Sequence, residues 1–398
     1  MPSSLIDTDT PIPPIDTHLC LVSAQATPNL TPALDPATRP RRVILLVSAD
    51  MRRRAQWLGS VLTARGTRVE TWDLADPWDL EQIQTQVLQL LDREQALVRA
   101  GTLALNATGG TKPMSIAAYE ACRAYDLPIF YVHPERDRLI WLHPAGLEAR
   151  DLENRLRLDA FLQAHGAQVQ SLSRDGIPPG LSELTGWLAS RAADHAGDLG
   201  QLNYLAMKAE EGLISPAFDA RYRTNRPFQA LLGRFADAGL FTIQQDRLVF
   251  PDESARFYVN GGWLEEHVYD LIRRQRGRLP HLQDLARSLN ILHENPRGDP
   301  VPNEIDVACL AENRLYLVEC KTRAWRGGEG EGVGAEALYR LDTLKDLLGG
   351  LQAQALLVSF RPLPPAVLRR AADLRIRVCA GPRLAELRTD LRHWLAAR

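Results

Sequence analysis

One stretch constrains this chain more than any other: NEIDVACLAENRLYLVECKT, residues 303–322. Two apolar runs flank a short polar break, which reads as two antiparallel strands. A tip at Glu312-Asn313 sets Asp306 opposite Glu319 and Glu304 opposite Lys321. Asn tolerates the left-handed backbone that such a tight turn needs. Alternation puts Glu319 and Lys321 on one face and Cys320 on the other. Facing carboxylates repel. Ile305, Val307, Leu317 and Val318 predict partial burial, where uncompensated charge is costly. A divalent cation removes the conflict, and hard carboxylate oxygens suit Mg²⁺ or Mn²⁺. Asp306 and Glu319 are the candidate ligands. The cation would polarise a phosphate and activate water. Lys321 would position that water or stabilise charge developing at phosphorus. The competing reading is a solvated hairpin with an ordinary cross-strand ion pair.

The N-terminal third has a different pattern. HLCLVSAQ (18–25), RRVILLVSAD (41–50), TRVETWDL (67–74), GTLALNATGGTKPM (101–114) and LPIFYVHP (127–134) alternate with helical stretches such as 51–66, 79–95 and 115–126. Alternation of this kind argues for an open, mostly parallel sheet with helices on both faces. Three of the strands end in small or polar residues: Ser23 and Gln25 with Thr27 and Asn29, Ser48 with Asp50, and the run from Asn106 to Lys112. In a parallel sheet those ends share one edge, where ligands bind. Gly109 and Gly110 permit close approach of backbone to ligand. The following helix N-terminus attracts phosphate, and Lys112 adds charge. The string is neither a Walker A loop nor G-x-G-x-x-G. A tight strand–helix turn without a ligand is the competing reading.

Residues 151–255 read as mainly helical and polar. Within them, 225–252 reads as a helix, a Gly turn and a short hairpin, either a winged-helix-like unit or a plain connector. The third part opens with GGWLEEHVYDLIRRQ (261–275), an apolar-faced helix. It continues through the hairpin, a Gly-rich stretch RGGEGEGVG (326–334), helix 335–350 and a strand at 351–360. The expected division is a flexible tail at 1–15, then domains at 16–150, 151–255 and 256–398. A formal charge of -2 leaves any nucleic-acid binding to local basic surface. The five scattered cysteines exclude a zinc finger or disulfide framework and fit reduced cytoplasmic thiols. No run is long and apolar enough to span a membrane, and the first residues lack the features of a signal peptide.

The hairpin string resembles the PD-(D/E)xK restriction-endonuclease-like superfamily, with the Asp of EID standing for the "PD" step. That superfamily often carries a Glu in a G-x-[FL]-E-x-x-V context on its first core helix. Glu265 matches and becomes a third candidate catalytic and metal-binding carboxylate, with Glu266 its neighbour and competitor. A helix would cover the site, a role that YRLDTLKDLL fills, with Tyr339 and Lys345 as possible phosphate contacts or merely exposed residues. ALNATGGTKPMSIAAYEACRAYDLPIFYV, with LVSAQATPN and ILLVSAD upstream, resembles the CARF domain, the CRISPR-associated Rossmann fold. CARF joined to a nuclease fold through a connector resembles the CRISPR ancillary nucleases of the Card/Can type. This resemblance implies an α/β chain with a Rossmann-like CARF domain, a helical or winged-helix-like connector and a restriction-endonuclease-like α/β domain. It implies a homodimer that binds a cyclic oligoadenylate, usually cyclic tetra-adenylate, as allosteric activator. By position, Ser23, Gln25, Asn29, Ser48, Asn106, Thr108, Gly109, Gly110, Thr111 and Lys112 are the ligand-binding candidates.

The leading expectation is an activator-gated, Mg²⁺- or Mn²⁺-dependent nuclease cutting single-stranded DNA, RNA or both. The stretch 326–334 would gate the site. The alternatives are a ligand-responsive transcription regulator with a vestigial nuclease fold, and a ring nuclease that degrades the cyclic oligoadenylate.

Overall fold

The computed structural model describes residues 14–133, 136–153, 155–191, 195–294, 298–323 and 336–396. The Gly-rich stretch 326–334 and residues 1–13 of the expected tail lie outside them.

The first sheet contains β1 (Thr17–Leu21), β2 (Arg42–Ser48), β3 (Arg68–Leu74), β4 (Leu103–Asn106), β5 (Ile129–His133), β6 (Arg138–His143) and β7 (Arg150–Asp151). Its order is β3-β2-β1-β4-β5-β6-β7. The first five strands are parallel, and β6 and β7 add an antiparallel edge that the sequence pattern did not suggest. Strand β2 is buried beyond Arg42. A parallel strand covered on both faces needs a continuous apolar run such as VILLV rather than alternation. The chain leaves β1 into helix Thr27–Leu34 on one face and β4 into helix Lys112–Ala124 on the other. Leu30 and Ala33 accordingly join one core, while Met114, Ala117, Ala118 and Ala121 join another. The β1/β4 boundary is therefore a topological switch point, where a crevice opens at the carboxyl ends of the strands.

The second sheet contains β8 (Ala167–Ser173), β11 (Leu282–Glu294), β12 (Pro300–Ala311), β13 (Arg314–Lys321), β14 (Gln354–Ser359) and β15 (Arg377–Ala380), in the order β15-β14-β13-β12-β11-β8. A separate hairpin joins β9 (Thr242–Gln244) to β10 (Arg247–Val249) after helix Arg226–Asp237, as the helix–turn–hairpin pattern predicts. Two elements depart from the sequence reading. Strand β8 lies inside the stretch read as mainly helical, and it pairs with β11 at the sheet edge. Its polar side chains are tolerated because an edge strand is only partly covered. Strand β11, paired on both sides between β12 and the edge strand β8, was not anticipated. A register shift between Leu282 and Asp284 interrupts its alternation.

The two sheets share a core. Cys20, Val43 and Leu45 of the first sheet, with Leu30, Leu58 and Leu62 of its helices, belong to the same apolar cluster as Leu289, Leu315 and Leu317. Leu338, Leu341, Leu344 and Leu348 of helix Glu336–Gly349 belong to it too. At about 1.5–3 kcal/mol per buried Leu, this helix is firmly seated between the sheets. The other face of the second sheet packs Val307, Tyr316 and Val318 against helix Trp263–Arg274 and the helices of the middle segment.

Candidate functional site

The hairpin forms in the register read from the sequence. Val307 pairs with Val318 and Ala311 with Arg314. Glu312 (φ 48°) and Asn313 (φ 55°) both take the left-handed conformation at the tip. The ladder's last rung is Val307–Val318, and beyond it the Asp306 side chain takes over. Its carboxylate accepts a hydrogen bond from the Cys320 N–H at 2.6 Å. Asp306 and Glu319 are 7% and 2% exposed, so the expected burial of two carboxylates is real.

Glu265 arrives from the first turn of helix Trp263–Arg274. The two glycines before it explain how the helix docks so near the strand. A Cβ on Gly261 (φ 117°) would lie 2.0 Å from Thr322 Oγ1, and one on Gly262 would strike Phe257. Glu265 Oε2 is buried without a hydrogen-bond partner among the described residues. Glu266 points elsewhere, pairing with Arg287. The geometry thus favours Glu265 over its neighbour as a member of the cluster. Glu266, Arg287 and Glu304 line an adjoining cavity of about 610 Å³, together with Phe257 and Tyr258.

Electrostatics binds these groups into one unit. Burial, then the charges of Asp306, Glu304 and Glu319, pushes the Glu265 carboxyl well above its ordinary range. Burial, then Glu319, pushes Asp306 up to about 7. Burial alone would lower the Lys321 ammonium, but Glu319 and Asp306 offset this and leave it raised. Lys321 ion-pairs with Glu319.

Arg340, which the sequence reading did not single out, completes the cluster. Its Nη2 donates to both Glu319 oxygens, at 2.5 and 2.6 Å. The other two candidates on its helix lie apart from the carboxylates. Tyr339 is exposed beneath the Arg370 guanidinium, and Lys345 is bound to Asp342 and the Leu374 carbonyl. The donor chemistry fits a hard divalent cation: Glu265 has an orphaned buried oxygen, and burial followed by like charges raises the Glu265 and Asp306 carboxyls. Yet among the described residues no three His, Cys, Asp or Glu side chains are already gathered as a metal site. Arg340 and Lys321 stand at Glu319 instead.

At the first sheet's edge, the expected residues meet but divide into two groups. Asn29 donates to the Leu21 carbonyl at 2.9 Å, and Asn106 donates to Pro28 O and Asn29 Oδ1 at 2.8 and 2.9 Å. Thr108 donates to Asn106 Oδ1 at 2.6 Å and accepts from Val132 N–H at 2.8 Å. Thr111 caps helix Lys112–Ala124, accepting from Met114 N–H, and donates to the Pro77 carbonyl. Ser48 donates to Asp50. These side chains brace the switch point. Gly109 is obligatory there, since a Cβ would lie 2.0 Å from the Leu21 carbonyl. Ser23, Gln25, Gly110 and Lys112 remain at least partly accessible, and Lys112 is exposed.

A Rossmann-type sheet with a braced switch point, sharing its core with an acidic, Lys-bearing hairpin sheet, defines a ligand-sensing domain fused to a nuclease domain. The comparisons agree. The Card1 CARF domain family matches residues 17–161, and the Card1-like endonuclease domain family matches residues 252–398. Protein VC1899 from Vibrio cholerae is 30% identical with a TM-score of 0.86, covering 96% of this chain and 98% of its own. Can2 from Sulfobacillus thermosulfidooxidans, solved with cyclic tetra-adenylate, is 26% identical with a TM-score of 0.78, covering 96% of this chain and 100% of its own. A type III CRISPR defence DNA nuclease activated by cyclic oligoadenylate, 21% identical with a TM-score of 0.55, shares the fold over 88% of this chain and 47% of its own. No curated protein sequence matches. The chain belongs to the CRISPR ancillary nucleases of the Card/Can type.

Proposed function

We propose that this chain is a cyclic-oligoadenylate-activated, metal-dependent endonuclease of type III CRISPR defence, with a PD-(D/E)xK-type site. The observation that carries the reading is the convergence of Glu265, Asp306, Glu319 and Lys321 at one strand end, in a chain whose other sheet has the TGGTK switch point. Cyclic tetra-adenylate is the proposed activator, because Can2 was solved with it. The ligand is two-fold symmetric in its repeat, so a homodimer pairing two CARF edges is the fitting assembly. Ser23, Gln25, Gly110 and Lys112 would contact it directly. Asn29, Ser48, Asn106, Thr108, Gly109 and Thr111 would hold the edge in shape. Among the described residues no helix is long and apolar enough to cross a membrane, and the proposed site of action is the cytoplasm.

In the nuclease cluster, Glu265, Asp306 and Glu319 would hold Mn²⁺ or Mg²⁺. The bound cation supplies a polarised phosphate oxygen and a water of lowered pKa. Lys321, held beside Glu319, orients the attacking water and neutralises charge developing at phosphorus. Burial and like charges favour the protonated forms of Asp306 and Glu265, so binding a cation there would release protons. Single-stranded DNA, RNA or both are the proposed substrates. The test is digestion of labelled single-stranded DNA, single-stranded RNA and plasmid, with and without cyclic tetra-adenylate, in Mg²⁺ and in Mn²⁺. Activator-dependent cutting that vanishes in Asp306→Ala is the expected result. Cutting that ignores the activator, or survives Asp306→Ala, would overturn the reading.

A further inference from the structure

Among the described residues, both oxygens of Glu319 are already engaged. Arg340 spans them at 2.5 and 2.6 Å, and Lys321 holds one of them as well. A carboxylate clamped on both oxygens has little left to offer a second cation. Arg340 reaches in from a different element, the helix Glu336–Gly349, and its side chain is 40% exposed. It can therefore swing into water and regain hydration, whereas Lys321 is tied to the strand itself.

The far end of the same helix touches the other domain. Gly350 follows its last residue in the left-handed conformation (φ 58°), and a Cβ there would lie 2.0 Å from Gln25 Nε2. Gln25 belongs to the segment after β1 at the switch point, and its carbonyl accepts from Ser23 Oγ at 3.3 Å. The stretch of that helix from Arg340 to Gly349, about 15 Å long, thus connects a ligand-edge side chain to the group that occupies Glu319. Leu338, Leu341, Leu344 and Leu348 seat the helix in the core shared by both sheets, so its two ends move as one body.

We propose that Arg340 is a positioning residue that occupies Glu319 in the resting chain, and that contact of Gln25 with Gly350 couples its withdrawal to ligand at the CARF edge. This rests on the metal-dependent nuclease reading above. Arg340 and a divalent cation compete for the same oxygens, so whatever shifts the helix sets the cation affinity. By linkage, a cation at Glu319 tightens activator binding by the same factor.

The test is titration calorimetry of Mn²⁺ into the full chain without nucleic acid, with and without cyclic tetra-adenylate. Wild type should bind Mn²⁺ roughly tenfold more tightly when the activator is present, within the usual range of such coupling. Arg340→Ala should bind it that tightly without activator and gain little from adding it. Ala is a strong helix former, so the helix survives. Arg340→Lys, which keeps the charge on a shorter side chain without the planar guanidinium, should fall between. Equal Mn²⁺ affinity in wild type and Arg340→Ala would overturn the role of Arg340 alone. No Mn²⁺ binding in either protein, or binding unaltered by Glu319→Ala, would overturn the metal reading and this proposal together.

Discussion

The two strand-end clusters of this chain are made of opposite materials. At the CARF edge the groups are small, neutral and satisfied: Asn29, Asn106, Thr108 and Thr111 bond one another and nearby backbone. In the hairpin cluster the groups are charged, buried and strained electrostatically, with Asp306 and Glu265 forced toward their protonated forms. The first needs no ligand to be stable and offers a formed surface to one. On the metal-dependent reading proposed above, the second is completed by a cation. A sensor benefits from being formed in advance, whereas an output site that is costly to leave empty can be held off by a nearby counter-charge.

The two lysines sharpen this contrast most. Lys321 is half-buried and ion-paired with Glu319, and Lys321→Ala should lower activator-dependent cutting by about 10³-fold, in the range of losing a group that stabilises charge in the transition state. Gel-based digestion reads it, and a loss below tenfold would remove Lys321 from the chemistry. Gly109→Ala should follow in size. Its Cβ has no room beside the Leu21 carbonyl, so the CARF sheet should lose about 1–3 kcal/mol in denaturant unfolding. Unchanged stability would mean that the switch point is not braced as described.

The pH responses should run in opposite directions. His18, buried in β1, is held down to about 3 by burial. Its contribution is full above 6.5 and is lost as pH falls toward 3, because the unfolded chain takes up the proton first. At pH 5 the loss is about 2 kcal/mol, and His18→Leu should remove it. Asp306 is raised, so its contribution is full below 3.8 and is lost as pH rises through about 7. Metal-free Asp306→Asn should gain on the order of 2 kcal/mol over wild type between pH 4.5 and 8. Unfolding profiles of wild type and both variants that run parallel across this range would contradict both assignments. The smallest effect belongs to Lys112→Ala, an exposed charge. Cyclic tetra-adenylate affinity should drop by roughly fivefold in calorimetry, about 1 kcal/mol, with unfolding unchanged. Undiminished affinity would place the ligand away from TGGTK.

What could be read from the sequence follows where each contact lies along it. The hairpin was legible because its turn chemistry and its period-two alternation agree, and both lie within residues 303–322. The parallel strands of the first sheet were legible because full burial leaves apolar runs with polar ends. Strand β11 was not, because its register shift breaks the alternation and Leu282, Leu285, Ala286 and Leu289 fall at helix-like spacing. Arg340 escaped for another reason. A helix over the site could be anticipated, but which of its residues reaches Glu319 depends on how the helix sits on the strands, and that is set by the shared core. Asn29 and Asn106 were correctly placed at the edge, but their burial and mutual bonds emerge only in three dimensions.

The central claim is that sensing and cutting occupy two separate sites joined in one chain. Measuring cyclic tetra-adenylate binding and single-strand cutting in the same Glu319→Ala protein tests it most directly. The account predicts activator binding at least as tight as in wild type in the absence of added metal, because the Arg340 clamp has lost its partner, with cutting abolished. Wild-type cutting, or loss of activator binding in a folded protein, would contradict it.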